Sequence, residues 1–180
     1  MKLPQPGNIE SPHVLEFCNG VVPGQLPILV PYEPLVNKPQ MECFAIVPEQ
    51  VISHGGKQLT GWAIWETQHI IEAEFHAVWQ DTDGRIVDVT PRPFAMEAVL
   101  FLEDLSREYT GRQVDNIRKA LVKDFYVTRL LQLMKRRFEI LNEGNLADQH
   151  GEISLSPTVE REYFALEDEV AKLNLRLARR

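Results

Sequence analysis

One stretch of the sequence, residues 72–90, is typical of two antiparallel strands joined by a tight turn. Asp83-Gly84 is a strong turn signal, and successive side chains of a strand alternate between its two faces. The first strand has an ionisable face with Glu72, Glu74, His76 and Val78, and an apolar face with Ala73, Phe75, Ala77 and Trp79. Pairing across the turn sets His76 opposite or diagonal to residues 88–90. We therefore predict that His76 and Asp88 lie within reach of each other.

A cysteine precedes this hairpin, so the chain holds the residue types of a thiol catalytic triad in the order Cys43, His76, Asp88. A free thiol has a pKa of about 8.5, so it reacts poorly at neutral pH unless an imidazole takes its proton. A carboxylate on the other ring nitrogen orients that imidazole. The pattern predicts Cys43 as the nucleophile, His76 as the base and Asp88 as the orienting group.

The surroundings of Cys43 predict a nucleophile in a turn just before a helix. Apolar residues follow it, and Gly55-Gly56 is typical of a helix end. Pro48 would break a helix that began at Cys43, and Glu42 disfavours a second negative charge beside the thiol.

A non-catalytic interpretation of the same residues stays open. Free cysteines are often buried, and the neighbours of Cys43 are apolar, which favours an inert core position. His76 would then be an ordinary half-buried histidine, and Asp88 would satisfy the backbone where its strand ends.

Residues of about 40–92 resemble the papain-like thiol fold, and within it the transglutaminase-like and NlpC/P60-like groups. The similarity lies in a cysteine before a histidine strand, His76-Ala77-Val78-Trp79, and an aspartate strand that ends in Asp88-Val89-Thr90-Pro91. The sequence departs from the pattern at Phe44, where the family usually has tryptophan, and at Pro48. The resemblance implies a side-chain oxyanion donor upstream of the cysteine, for which Gln40 and Asn37 are candidates.

Elsewhere the chain predicts an α+β protein with an antiparallel sheet. Most of the prolines lie in residues 1–40, which predicts an extended arm with one edge strand rather than a long helix. Residues 41–110 form the predicted thiol core. In residues 111–180, apolar spacing from Ile117 to Leu141 predicts one amphipathic helix, and Ser156-Pro157 predicts the start of a second.

Three tryptophans lie in or beside the predicted strands: Trp62, Trp65 and Trp79. They are candidates for lining a substrate cleft, Trp62 and Trp79 above all. Aromatic side chains at strand spacing more often belong to the core, so both interpretations stay open.

Composition limits the classes of partner. A formal net charge of -7 disfavours nucleic-acid binding, which needs a basic surface. The chain has no apolar segment of membrane-spanning length and no recognisable signal peptide. With two cysteines among 180 residues, this predicts no membrane association and a reducing cytoplasm. Cys18 is predicted to be structural, and a Cys18–Cys43 disulfide would contradict a thiolate role.

No cofactor or metal is predicted. Cys43, His54, His69 and His76 could supply zinc ligands, but their spacing fits no compact zinc pattern. Gly55-Gly56 lacks the lysine and serine of a phosphate-binding loop.

The sequence thus predicts a cysteine-dependent amide or isopeptide hydrolase, or an acyl transferase, acting on a peptide or protein. The alternative is a non-enzymatic module that keeps the fold and binds a protein partner. The two C-terminal helices are predicted to pack on the core as a helical hairpin. They could instead present a surface for such a partner or for a homodimer, and the proline-rich arm is the other candidate surface for a partner.

Overall fold

The computed structural model describes residues 3–148 and 153–179 and contains, within them, seven strands and four α-helices. The strands are β1 (Gln5–Pro6), β2 (Ile28–Pro31), β3 (Lys57–Glu66), β4 (Ile70–Gln80), β5 (Ile86–Val87), β6 (Ala98–Glu103) and β7 (Ile117–Ala120). The helices are α1 (Pro12–Val21), α2 (Cys43–His54), α3 (Phe125–Leu141) and α4 (Pro157–Leu177), and a short 3-10 helix spans Gly144–Asp148. These elements confirm the predicted α+β class.

The strands described here belong to one antiparallel sheet. Its main order is β2-β6-β3-β4-β5, while β1 pairs with β3 and β7 pairs with β4. At its centre β3 and β4 pair over ten residues, with His76 opposite Gly61. The turn at Asp81 joins β4 to β5, and Val87 pairs with Trp79 as the hairpin pattern predicts.

The outer edge of β4 is only partly covered by other strands. β7 pairs with residues 70–73, and β5 pairs with residues 79 and 80. In the part of the chain that the structure describes, no strand pairs with residues 74–78 on that side. Two other segments lie near His76 at this gap, the N-terminus of α2 and the segment that follows β5.

Helices cover the sheet in two groups. α1 and α2 pack on the face of β4 that carries Ala73 and Ala77, so the apolar face of the predicted hairpin is buried. α3 and α4 pack on each other and around Ile70 at the start of β4. None of the helices in residues 3–148 and 153–179 is both long and apolar enough to cross a membrane.

The first forty residues are more structured than an extended arm. Pro12–Val21 forms the ten-residue helix α1, with Pro12 in the first turn, where a missing N–H costs no helical hydrogen bond. Ile28–Pro31 forms the edge strand β2, as expected. The expectation of an extended arm misses α1, whose Val14 and Phe17 are buried in the core.

The predicted helix from Ile117 to Leu141 begins too early. Ile117–Ala120 is the strand β7, and α3 starts at Phe125 after its N-cap residue Asp124. The Asp124 carboxylate accepts hydrogen bonds from the N–H groups of Tyr126 and Val127. A strand of four residues is too short for its periodicity to be separated from that of an adjoining helix.

Candidate active site

Cys43 is the first residue of α2, which corrects the prediction of a turn just before the helix. The helix continues through Pro48, although Pro48 has no N–H to donate to the carbonyl of Phe44. The thiol therefore lies at a helix N-terminus, where the backbone dipole favours negative charge. Cys43 is buried, with 6% of its surface exposed.

The loop before Cys43 is fixed to the segment that follows β5. The N–H of Met41 donates a 3.0 Å hydrogen bond to the carbonyl of Pro91, and Met41 adopts a positive φ of 65°. Glu42 is the N-cap residue, and its carbonyl accepts hydrogen bonds from Ala45 and Ile46. These bonds set the position of Cys43 relative to residues 88–92.

His76 and Asp88 lie against each other in the interior. His76 Nε2 is 3.1 Å from Asp88 Oδ2, and the two side chains are 1% and 0% exposed. The approach is too oblique for a well-formed hydrogen bond. The other oxygen of Asp88 accepts a 3.0 Å hydrogen bond from the N–H of Thr90. The backbone of Asp88 is held by β2 and the residues after it, since its N–H donates to Pro31 and its carbonyl accepts from Glu33.

The electrostatics of this pair favour its charged form. Burial opposes protonation of His76, but the charges of Asp88 and Cys43 outweigh it and raise the pKa of His76 to about 10. Burial also acts against ionisation of Asp88, and the neighbouring His76 and Arg92 nevertheless hold its pKa below the ordinary value. The site therefore holds a protonated imidazole against a carboxylate.

Cys43 lies near His76 although it packs on the opposite face of β4 from the one that carries the His76 side chain. Cys43 packs in a cluster with Ala77, whereas His76 alternates with Ala77 along the strand. Among the described residues, no strand covers the edge of β4 at residues 74–78, and α2 packs on β4 at Ala77, next to His76 in the chain. The neighbouring Cys43 is one of the groups that raise the pKa of His76. The structure thus brings Cys43, His76 and Asp88 together.

Arg92 completes a buried charge cluster that the sequence interpretation missed. Its side chain is 2% exposed, and its guanidinium lies 2.9 Å from Glu74 Oε2, 3.5 Å from His76 Nδ1 and 4.0 Å from Asp88 Oδ2. It also lies over the Trp65 ring at 4.5 Å. One signal could have found it: Glu74 shares a face with His76, and a half-buried carboxylate there needs a cationic partner.

Cys43 opens onto a cleft of about 470 Å³, which we call the reaction cleft. The cleft lies between the N-terminus of α2, the middle of β4, and the helix α3 with its following loop. Its walls combine aromatic, acidic and basic side chains: Phe44, Phe75, Tyr109, Phe138, Glu42, Glu74, Asp115, Arg118 and Arg137. A peptide segment or an extended side chain fits a space of this size and polarity.

Tyr109 is a second residue that sequence reasoning missed. Its ring stacks on Phe44 with 4.0 Å between the centroids. Burial, with the charges of Cys43 and Glu42, raises the pKa of the Tyr109 hydroxyl. The hydroxyl therefore stays protonated and is a hydrogen-bond donor near the thiol.

The remaining predicted site residues lie away from the reaction cleft. Gln40 and Asn37 are exposed in the loop before α2, and neither lines the cleft. Trp62 is 1% exposed and donates to Asp104 Oδ2 at 2.9 Å, so it belongs to the core. Trp79 donates to the carbonyl of Gly55 at 3.0 Å and also lies outside the cleft.

The other cysteine and histidines occupy separate positions. Cys18 is a free, fully buried residue of α1, and burial raises its pKa to about 11. His69 lies 3.4 Å from the carbonyl of Leu177, and His54 ends α2. Across the described ranges, 3–148 and 153–179, no three His, Cys, Asp or Glu residues are grouped so as to hold a metal ion.

Comparison of the chain with protein-family models, with curated proteins and with solved structures found no match.

Proposed function

We propose that this protein is a cysteine-dependent acyl-transfer enzyme that attacks an amide or isopeptide carbonyl, with Cys43 as nucleophile, His76 as base and Asp88 as orienting carboxylate. The observation that carries the proposal is the buried His76–Asp88 contact of 3.1 Å behind a cysteine that lines a cleft. An imidazole paired with a carboxylate, beside a thiol at a helix N-terminus, is an arrangement that can activate a cysteine. A papain-like or transglutaminase-like core is part of this proposal.

The proton transfers follow from which ring nitrogen each partner occupies. His76 Nε2 faces Asp88, so we assign the other nitrogen, Nδ1, which also lies 3.5 Å from the Arg92 guanidinium, as the one that takes the thiol proton. The Cys43 thiolate then forms a bond to the carbonyl carbon, and the carbon–nitrogen bond breaks. The leaving amine takes the proton from His76, and a thioester remains on Cys43. Water or a second amine attacks this thioester, its proton returns through His76, and the free thiol is restored.

Groups of both charges lie near the thiol. Glu42 lines the same cleft and disfavours a second anion. The imidazolium of His76 and the N-terminus of α2, which is equivalent to about half a positive charge, favour the anion. His76 is buried whereas Glu42 is exposed, so water screens the charge of Glu42 more than that of His76.

The reaction cleft supports a peptide or protein as the substrate. It is wide enough for a segment of chain, and its aromatic and charged walls provide contacts for a mixed ligand. The net charge of -7 favours such a substrate over a nucleic acid. Attack of water on the thioester gives hydrolysis or deamidation. Attack of an amine gives acyl transfer.

One observation favours the second candidate, a non-enzymatic binding module. Cys43 is only 6% exposed, which is typical of an unreactive cysteine in a core. A module of this kind would use the cleft or the C-terminal helices to hold a protein, and its binding would be unchanged by Cys43→Ser.

Acylation by an activated ester separates the two functions. The folded protein is incubated with p-nitrophenyl acetate, and the acetyl group is located by peptide mass spectrometry. An enzyme gives an acetyl thioester at Cys43 that forms slowly in His76→Ala and does not form in Cys43→Ser. The matched variant Cys18→Ser, which removes the other buried thiol, behaves like the parent protein. Equal labelling of Cys43 in the parent and in His76→Ala would contradict the proposal.

A further inference from the structure

A second, smaller cavity lies beside the reaction cleft, and we call it the side pocket. Its volume is about 140 Å³, and it lies between the start of β4, α3 and α4. Trp65 and Ile70 contribute its sheet side, Leu130 and Met134 its α3 side, and Val170 its α4 side. The walls are therefore mainly apolar.

The side pocket adjoins the reaction cleft. Met134 and Arg137 line both cavities, and they are one turn apart on the same face of α3. On the sheet, Glu72 lines the side pocket and Glu74 lines the reaction cleft, and these two residues share one face of β4. Met134 and Arg137 thus lie at the boundary between the two cavities, which a ligand occupying both would cross.

Size and lining define what the pocket accepts. An apolar cavity of about 150 Å³ engineered into another protein binds benzene, so this pocket has room for one ring of that size or a branched alkyl group. Polar groups at its border include Arg137, which lies 3.0 Å from Glu167, and Asn174, whose Oδ1 is buried. A peptide ligand matches this distribution of groups, because its polar backbone lies beside its apolar side chain.

We propose that the side pocket is the specificity subsite for an apolar side chain, of about the size of a phenyl ring, on the acyl part of the substrate. This inference rests on the proposed function, because it places the reacting carbonyl at Cys43. Three features support it: the shared lining of the two cavities, the apolar walls and the matching volume. The substrate class is then a peptide amide whose acyl side carries an aromatic or large aliphatic residue.

A series of activated esters tests the subsite. The p-nitrophenyl esters of acetic, benzoic, phenylacetic, 3-phenylpropanoic and 4-phenylbutanoic acids place a ring at increasing distance from the carbonyl. In each case the Cys43 sulfur forms a bond to the carbonyl carbon, and p-nitrophenolate leaves. We expect one phenyl ester to acylate Cys43 about tenfold or more faster than the acetyl ester, which is the usual size of discrimination by an apolar pocket.

Two variants of opposite effect locate the preference in the side pocket. Val170→Phe fills the pocket, so the rate ratio of the best phenyl ester to the acetyl ester falls towards one. Val170→Ala enlarges it, so the preference moves to a naphthyl ester. Phe164→Ala is the matched control, since Phe164 is exposed on the same helix and does not line the pocket, and it keeps the parent profile.

The outcomes distinguish this inference from the function on which it rests. Acylation of Cys43 with no preference among the esters, or a preference unchanged in both Val170 variants, overturns the subsite and leaves the thiol chemistry intact. No acylation of Cys43 by any ester overturns the proposed function and the subsite with it.

Discussion

His76 and Asp88 form a buried pair of opposite charge, with 3.1 Å between Nε2 and Oδ2 and almost no exposure of either side chain. Two ions in the interior are costly to desolvate, so such a pair remains only where further contacts stabilise it. Here the contacts come from Thr90, Arg92 and Cys43. A charged pair held in this way beside a cysteine is compatible with the chemical role proposed for it.

Replacement of Asp88 by asparagine removes the charge that raises the pKa of His76. We expect the His76 pKa to fall from about 10 by more than one unit, because burial then acts without the main opposing charge. Titration of the His76 ring by NMR measures this shift. Asp104→Asn is the matched control, since Asp104 is buried against Trp62 and does not contact His76, and it leaves the titration unchanged. An unchanged His76 pKa in Asp88→Asn would show that the two groups are not coupled.

Arg92 is expected to position the residues around the thiol. Arg92→Met leaves Glu74 without its cation and Asp88 with His76 alone, and it lowers the free energy of unfolding by about 3–5 kcal/mol, as does breaking other buried pairs. The double variant Arg92→Met/Glu74→Gln recovers part of this loss, since it no longer leaves an uncompensated carboxylate at position 74.

The double variant also separates positioning from charge balance. We expect it to keep low Cys43 reactivity, because the link from Arg92 to His76 and Asp88 is still absent. Recovery of both stability and thiol reactivity would show that Arg92 only balances charge.

Stability should depend on pH through His76. Its pKa is raised from 6.5 to about 10, so the folded state holds this proton more tightly than the unfolded chain. The resulting stabilisation is complete below pH 6.5 and is lost as the pH rises through about 10. The Asp88 pKa is lowered, so its stabilisation is present above its ordinary pKa of 3.8 and is lost as the pH falls.

Urea unfolding of the parent protein and of His76→Asn between pH 6 and pH 10 measures this contribution. The difference in free energy of unfolding between the two proteins should shrink as the pH rises. A constant difference over this range would mean that His76 is not charged in the folded protein.

Gly61 is predicted to be essential for the packing of β3 beneath the site. It lies opposite His76, and an added Cβ would come within 2.2 Å of the Leu102 carbonyl oxygen. Gly61→Ala should therefore destabilise the fold by about 1–3 kcal/mol, as overpacking does elsewhere. Gly20→Ala is the matched control, because Gly20 is helical with no atom near the added Cβ, and alanine there should stabilise slightly. Thermal unfolding compares the two, and equal melting temperatures would refute the predicted close contact.

The sequence predicts the strand pair around His76 because its signals are local. Alternation along β4 and the Asp-Gly turn fix both the faces and the register, and Asp88 follows from that register. Neither α1 nor β7 has such a signal: α1 begins at Pro12 within a proline-rich stretch, and β7 is too short to show a period. Tertiary packing decides both elements.

The contacts of Arg92 and the position of Cys43 depend on residues far apart in the chain. Arg92 contacts Glu74 only because the segment after β5 folds back over the uncovered edge of β4. Pro48 indicated that Cys43 should precede the helix, yet packing of Ile46 and Val47 on the sheet keeps the whole segment helical. Local propensity could not reveal either outcome.

The central claim is that His76 activates Cys43, and the pH dependence of cysteine alkylation tests it most directly. Iodoacetamide is added over a range of pH, and modification of each cysteine is followed by peptide mass spectrometry. Cys18 is the internal control, because it is fully buried and its pKa is raised to about 11. We predict that Cys43 reacts well below pH 8 and loses this reactivity in His76→Ala. A Cys43 that is inert in the folded protein, or that titrates like a free thiol with or without His76, would contradict the account.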